Sequence, residues 1–495
     1  MPIDRVIVRK GTFFDSVALM LASQEAAALE GIEEASILNA TPLNVELLEG
    51  QGFAPRAEEG DDLGPNDLVI ALRGASDADL DHALAEIDAG LQRDREPRSG
   101  AAEEAPPRSI TAAAKQRSQL NVAMISVPGQ HATYEAARAL DAGLHVFCFS
   151  SGPSIEAEIA LKQRAEELGL MMMGPDCGTT ILSGVSLGFG NAVEAGPVGI
   201  VGASGTGIQA IACALDAAGV GISHAIGLGG RDLQAPVGGS MALRAIDLLG
   251  ADSGTEVIVV VAKSPDAEVA RQVAERARAT GKQAVCAFPG LDGDGQTSEF
   301  MASLGAAADA AALEVGAQPS EAEHRGELRR APGAIRGLFS GGTLRDEARS
   351  VISAAIPSVT DELPNDSSDA HVLVDLGDER YTEGRPHPMI DPSLRVSILG
   401  EQVADPEVGV VLLDVVLGYG SHPDPAAELA PAIEAGLSNR GEGLNVVAFL
   451  CGTKGDPQGL EAQADQLLEA GAIVTRSNAH AAQLALDAVG LAGPG

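Results

Sequence analysis

From residue 119 onward, short apolar runs alternate with stretches of helical period, and this alternation constrains the fold more than any other feature of the chain. Apolar runs of about four to eight residues, separated by about 10–15 residues of amphipathic pattern, specify parallel strands joined by crossover helices. The first cycle reads LNVAMISVP, a helix over 131–142, HVFCFSS, a helix over 154–168 and GLMMMG. A second starts at PVGIVGASG (197–205) and continues through HAIGLGG (224–230), EVIVVVAK (256–263) and KQAVCAFPG (282–290). A third starts near AIRGLFSGG (334–342) and includes HVLVDLG (371–377), GVVLLDVVLG (409–418), NVVAFLCG (445–452) and GAIVTRS (471–477). The fold class is therefore α/β with doubly wound parallel sheets.

The amino-terminal part has its own pattern. Residues 3–9 (IDRVIVR), 33–39 and 66–73 (NDLVIALR) read as strands, with helices over 13–29 and from the last strand to about 92. This gives a small α/β unit over 1–95. The charged, Pro- and Gly-rich stretch that follows has no hydrophobic period and reads as a linker over 96–118. The remaining boundaries fall at 119–195, 196–325 and 331–495, with an acidic, polar stretch before the last. A chain of 495 residues, 45% apolar, is long enough for several packed domains. Its 3% aromatic content suits helix-on-sheet packing better than a base-stacking surface.

Seventy acidic residues against 33 basic ones leave a net charge of −37, which repels nucleic acid and anionic lipid. Neither is an expected partner. The five cysteines form no CxxC pair, which fits a reducing compartment, and metal-ligand spacing is absent. No apolar run approaches the roughly 18 residues of a membrane span, so a cytoplasmic location is expected.

Glycine-rich turns carry the candidate chemistry. In GASGTG (202–207), Ser204, Gly205, Thr206 and Gly207 join a strand to a helix, where free amides and a dipole equivalent to roughly +0.5 charge can hold an anion. SGGT (340–343) repeats the arrangement with Ser340, Gly341, Gly342 and Thr343. Two domains that each present a helix end could clamp one phosphate; the alternative is two tight strand-to-helix connections. Neither turn is a P-loop, because no GK[ST] follows. GLGGRD (227–232) adds Gly229, Gly230 and Arg231, the last either a ligand for an anion or half of an ion pair. GPDCGT (174–179) places Asp176 and Cys177 at a strand's carboxyl end, where open α/β sheets bind ligands. GRPHPMIDPSLR (384–395) carries Arg385, His387 and Arg395 among prolines, which suits an anionic substrate or a braced internal loop. His131, His145 and His480 read as structural.

Several of these segments resemble the nucleotide-forming acyl-CoA synthetase superfamily. VAMISVPGQHATYEAARALDAGLHVFCFSSGPSIEAEIALKQRAEELGLMMMGPDCGT is similar to the CoA-binding domain of the succinyl-CoA synthetase α subunit, and VGIVGASGTGIQ with HAIGLGGRD to its ligase domain. A finer match, through GTFFDSVALM, MGPDCGT, GASGTGIQ, SHAIGLGGRDL, SGGTLRDEA, LGDERYTEGRPHPMIDPSLR and LLDVVLGYGSHPDPA, identifies the chain as similar to the FdrA family along nearly its whole length. The resemblance implies a CoA-binding-type Rossmann domain followed by two flavodoxin-like domains.

The resemblance also exposes departures. The synthetases phosphorylate a ligase-domain histidine steadied by a glutamate. Here Lys263 stands where that glutamate would be, and LDGDGQTSEFMAS, where the histidine is expected, contains none. The Gly-rich turn that opens the synthetase CoA site is replaced by residues 1–95 and the linker, and no ATP-grasp domain is visible. FdrA-type proteins resemble a subunit of catabolic oxamate carbamoyltransferase, which implies conversion of oxalurate and phosphate to oxamate and carbamoyl phosphate, in a hetero-oligomer with other transferase subunits. Lys263 and Arg231 would then act as the catalytic cations, the two Gly-rich turns would hold phosphate, and the 384–395 loop would grip the carboxylate. Acyl-CoA synthesis, with coenzyme A as cofactor, and a purely scaffolding role are the alternatives.

Overall fold

The computed structural model describes residues 2–14, 16–27, 29, 31–55, 63–93, 107–289, 291, 300–320, 323–364, 366–382 and 385–491. The chain divides into two compact units, Met1–Pro106 and Pro107–Gly495. Residues 94–106, which take in the end of the 1–95 unit and the first part of the segment read as a linker, lie outside the described residues, and Ile110–Gln116 of that segment form a helix capped by Ser109.

In the first unit the strands Ile3–Arg9 and Ile32–Asn39 flank the central strand Leu68–Gly74, both antiparallel to it. Strand alternation sorts the central side chains. Leu68, Ile70 and Leu72 pack against Leu19, Ala22, Leu80 and Ile87 of helices Ser16–Ala27 and Asp77–Arg93. Val69 and Ala71 face Leu48 and Phe53 on the other side. Leu48 belongs to a helix, Pro42–Gly50, that the sequence reading missed although Thr41 caps it and proline opens it.

The second unit holds three sheets. The strands Val122–Ile125, His145–Cys148 and Met172–Met173 form a three-stranded parallel sheet. The next sheet has four parallel strands in the order Gln283–Ala287, Val257–Ala262, Ala195–Ala203, Ile222–Gly227. The hairpin Thr179–Leu182 and Val185–Gly188 extends it antiparallel, so this sheet recruits residues from before the expected boundary at 195. The last sheet has six parallel strands in the order Ile473–Thr475, Asn445–Cys451, Val408–Val416, Ala334–Phe339, His371–Asp375, Val359–Thr360. His324–Arg325, placed by sequence at the end of the preceding domain, pairs antiparallel with Ile473–Thr475 instead.

Both large sheets share one topology. In each, the first parallel strand lies inside the sheet and the chain reverses direction beside it, which creates a switch-point crevice at the strands' carboxyl ends. The apparent duplication of the strand-glycine-helix opening therefore corresponds to equivalent positions in two doubly wound sheets. Side chains from the helices Gly205–Ala217, Leu304–Glu314, Gly342–Ser353 and Asn478–Val489, among them Ile208, Ile211, Leu304, Leu344 and Ala482, join one buried core. That shared layer brings the two crevices together. Among the described residues no helix is long and apolar enough to cross a membrane.

Candidate functional site

The two glycine turns meet. Ser204 caps the helix Gly205–Ala217 through its Oγ, which accepts from the Gly207 amide at 2.9 Å. The same Oγ lies 2.6 Å from Thr343 Oγ1, in the first turn of Gly342–Ser353. A Cβ on Gly341 would run into the short Thr206 side chain, so glycine is required for this approach, and one on Gly342 would displace the ends of Lys263 and Asp375. Two helix N-termini from different sheets thus open on one cavity of about 750 Å³. The amides of Gly205, Thr206, Gly342 and Thr343 have no intrahelical acceptor there.

Lys263 follows the strand Val257–Ala262 and reaches across to the other sheet, with its Nζ 3.8 Å from Asp375 Oδ2. Burial raises the Asp375 pKa; Lys263 and Arg345 oppose the rise. On the facing wall, a Cβ on Gly229 would collide with the backbone of Gly174–Pro175, so the GLGG and GPDC loops can cross only as they are. Asp176, at φ 56°, turns its carboxyl into the cavity with no side-chain partner among the described hydrogen bonds and ion pairs. Burial and then the nearby Glu379 push its pKa up to about 6, against the pull of Arg231. Gly230 lies beside that carboxyl.

Arg385 lines the cavity, exposed. His387 lines it too, and its Nδ1 accepts from the Met389 amide at 3.2 Å, which leaves Nε2–H as the donor. Burial, helped by Arg395, lowers its pKa to about 4, so it is a neutral imidazole.

Several sequence-predicted residues are placed differently. Arg395 does not reach the cavity: it is buried, donates to Leu338 O, and pairs with the fully buried Asp414 at 2.7 Å. Ser340 lines the cavity, yet both its amide and its Oγ donate to Asp414, so its hydroxyl is committed to the protein. The Gly207 amide is likewise used by the cap. Cys177 lines the cavity but is buried and packed against Gly227, and burial raises its thiol to about 11, so it is protonated at neutral pH. Arg231 is half of an ion pair as well as a lining residue: its Nε donates to Glu158 at 2.8 Å, and Glu158 also pairs with buried Lys162, which pairs with Asp232.

Sequence reasoning missed Asp375, Asp414, Glu379 and Gln209. Asp414 had a signal, as the lone charge in the apolar run VGVVLLDVV. Residues 292–299, the larger part of the loop that lacks the synthetase histidine, lie outside the described residues.

Paired doubly wound sheets whose glycine turns meet at facing helix ends give the chain a CoA-ligase-like α/β fold. A family model described as CoA binding domain matches residues 193–290, and one described as CoA-ligase matches 338–488. A third, described as AllF, heavy metal-associated domain, matches 1–107. The uncharacterized protein YahF of Escherichia coli K12 is 40% identical over 512 aligned positions covering 98% of each chain. The chain belongs to the same family, the FdrA family.

More distant relatives match in part. Subunit alpha-2 of the mitochondrial ADP-forming succinate–CoA ligase of Trichomonas vaginalis is 29% identical over 180 residues, 35% of this chain and 57% of that one. A subunit alpha 2 from Archaeoglobus fulgidus is 31% identical over 165 residues, 32% and 56% of the two chains. The matches thus span little more than half of each ligase subunit. A dinucleotide-forming acetyl-coenzyme A synthetase 1 of Ca. Korarchaeum cryptofilum, solved with phosphate and ADP, covers 74% of this chain and 82% of its own at 16% identity. Its TM-score of 0.30 is too low to carry an argument.

Two ligands named by these descriptions can be tested against the residues. Residues 1–107 contain no cysteine and a single histidine, His82, and no described group of three His, Cys, Asp or Glu residues could hold a metal. The first unit does not fit a soft metal ion. The cavity sets Arg231, Lys263 and Arg385 against Asp176, Asp375, Asp378 and Glu379. Coenzyme A carries several phosphate charges, and a lining with more carboxylates than cations does not fit the whole coenzyme. The cations stand apart from one another, Lys263 beside the helix ends and Arg385 in the 384–395 segment.

Proposed function

We propose that this chain is the FdrA-type subunit of a phosphate-dependent carbamoyltransferase, converting oxalurate and phosphate to oxamate and carbamoyl phosphate in allantoin or purine nitrogen breakdown. The observation that carries the reading is the convergence of two helix N-termini on the Ser204–Thr343 contact, with Lys263 beside it. Phosphate sits between the free amides of the two turns and Lys263 neutralises it. Held there, a phosphate oxygen attacks the carbamoyl carbon of oxalurate, the bond from that carbon to the oxamate nitrogen breaks, and the proton lost by phosphate ends on that nitrogen. Arg385 takes the oxalurate carboxylate, and His387 Nε2–H donates to the carbonyl oxygen as charge develops on it. The scheme needs no phosphohistidine, in keeping with Lys263 and the histidine-free loop. The AllF-domain match supports the assignment. The subunit acts in the cytoplasm within a hetero-oligomer of transferase subunits.

Lys263→Ala and Ser204→Ala test the reading. In the assembled complex both abolish phosphate-dependent carbamoyl phosphate formation, while circular dichroism shows the fold retained. Wild-type rates in both variants would sink it. The CoA-binding and CoA-ligase matches favour a second reading, acyl-CoA formation at the same anion site. Saturable coenzyme A binding by calorimetry, with acyl-CoA-dependent phosphate incorporation, would establish that alternative, and the absence of both dismisses it.

A further inference from the structure

Among the described residues, two buried side-chain atoms of the cavity lining have no hydrogen-bond partner: Gln209 Oε1 and Thr179 Oγ1. Both residues are 1% exposed. Thr179 stands beside the first turn of the helix Gly205–Ala217, close to Gly205. Gln209 lies one turn further along that helix. Helical side chains lean toward the N-terminus, and Gln209 lines the same cavity as the turn that opens the helix.

The network behind Gln209 fixes which end of its amide is left over. Asp456 accepts from the amides of Ala192 and Thr453, each at 2.7 Å. It also accepts from Asn191 Nδ2 at 2.8 Å, and Leu417 O accepts from the same nitrogen at 3.0 Å. Both partners of that Asn191 nitrogen are acceptors only, so Asn191 Oδ1 must face Gln209. Gln209 therefore presents Nε2, which donates to Asn191 Oδ1 at 3.1 Å and to Leu417 O at 3.4 Å. Its Oε1 remains as an acceptor with no donor, an arrangement that costs stability until a ligand supplies one.

We infer that Gln209 is a specificity-determining residue whose Oε1 selects a transferred acyl group bearing an N–H beside its carbonyl. This rests on the carbamoyl-transfer reading of the same cavity. An acetyl or succinyl group presents only carbon at that position and leaves the acceptor unpaired, whereas an amide nitrogen satisfies it. A site built to pair a ligand N–H rejects an isostere without it far more strongly than a purely apolar pocket does. Thr179 Oγ1, able to donate or accept, takes a second polar atom of the same ligand.

The test uses the full-length chain and two stable analogues that differ only in NH2 against CH3. These are phosphonoacetamide and acetonylphosphonate, methylene counterparts of carbamoyl and acetyl phosphate. By calorimetry the wild type binds phosphonoacetamide at least about tenfold more tightly. Gln209→Met, which keeps the length and removes the acceptor, brings the two affinities to within about twofold, with the fold followed by circular dichroism. Equal binding of both analogues by the wild type overturns the inference and leaves the phosphate site standing, a result that does not depend on the variant folding. Discrimination that survives in Gln209→Met also overturns it. If neither analogue nor inorganic phosphate binds, the reading of the cavity falls and the inference falls with it.

Discussion

Asp176→Asn should make the protein more stable, and only at neutral and alkaline pH. The residue sits at φ 56°, a backbone region that asparagine and aspartate both tolerate, so the substitution leaves the loop geometry alone and isolates the charge. In the folded chain its pKa is pushed up to about 6, against an ordinary 3.8. Glu379, Asp375 and Glu158 face it with like charge and Arg231 with opposite charge.

A carboxyl whose folded pKa is raised binds protons more tightly in the folded state, so folding is favoured as pH falls from about 6 toward 3.8. Above about 6 the folded chain bears the penalty of ionising a carboxylate that the cavity walls desolvate in part and that faces like charge. A difference of about two pH units corresponds to about 3 kcal/mol at 1.36 kcal/mol per unit. The carboxyl opens into the cavity and is exposed there, so solvent screening reduces the expected effect to about 1–1.5 kcal/mol.

Urea unfolding at pH 8 should show the variant more stable by that amount, with the gap closing as the pH approaches 4. A variant equally or less stable than the wild type at pH 8, or a gap independent of pH, would show that Asp176 is not an unpaired charge raised by partial desolvation and like-charge neighbours. Phosphate affinity measured on the same samples should rise in the variant at pH 8, because a negative charge facing the anion has been removed.

Two further outcomes follow from residues placed away from the chemistry. Arg395→Met strands the Asp414 carboxylate, fully buried and holding the Ser340 turn, and should cost about 3–5 kcal/mol in urea unfolding. Loss of activity with undiminished stability would instead give Arg395 a role in the cavity. All five cysteines are buried thiols outside any disulfide, and Cys148 and Cys177 are pushed up to about 12 and 11. A thiol-disulfide reagent at pH 8 should therefore titrate almost none in the native chain and all five in urea, whereas rapid native reaction of any thiol would contradict their burial.

The strands and glycine turns were legible because both depend on local order. VGIVGASGTG and AIRGLFSGG announce a strand, a sharp turn and a helix within about a dozen residues, and the core needs nothing more to place them. The division of labour among the basic residues was not legible. Arg385 and Arg395 share one proline-rich segment, yet one lines the cavity and the other pairs with Asp414 on the strand Val408–Val416. Arg231 meets Glu158, 73 residues away in sequence. Long-range pairs of this kind leave no periodic trace. Gln209 was hidden for a related reason: a polar residue in GIQAIACAL reads as a helix face, and only the partners of Asn191 reveal which amide atom is spare.

The hydroxyl contact between Ser204 and Thr343 joins two turns that belong to different sheets. Whatever binds between them is therefore measured by a gap rather than by a surface. The width of that gap is set by how the helices behind it stack, through side chains such as Ile208 and Leu344 that are buried in the shared core. Affinity for any ligand held in the gap is thus exposed to selection at positions a residue or more behind the turns. Two chains with identical glycine loops could prefer ligands of different girth because of a methyl group in the seam.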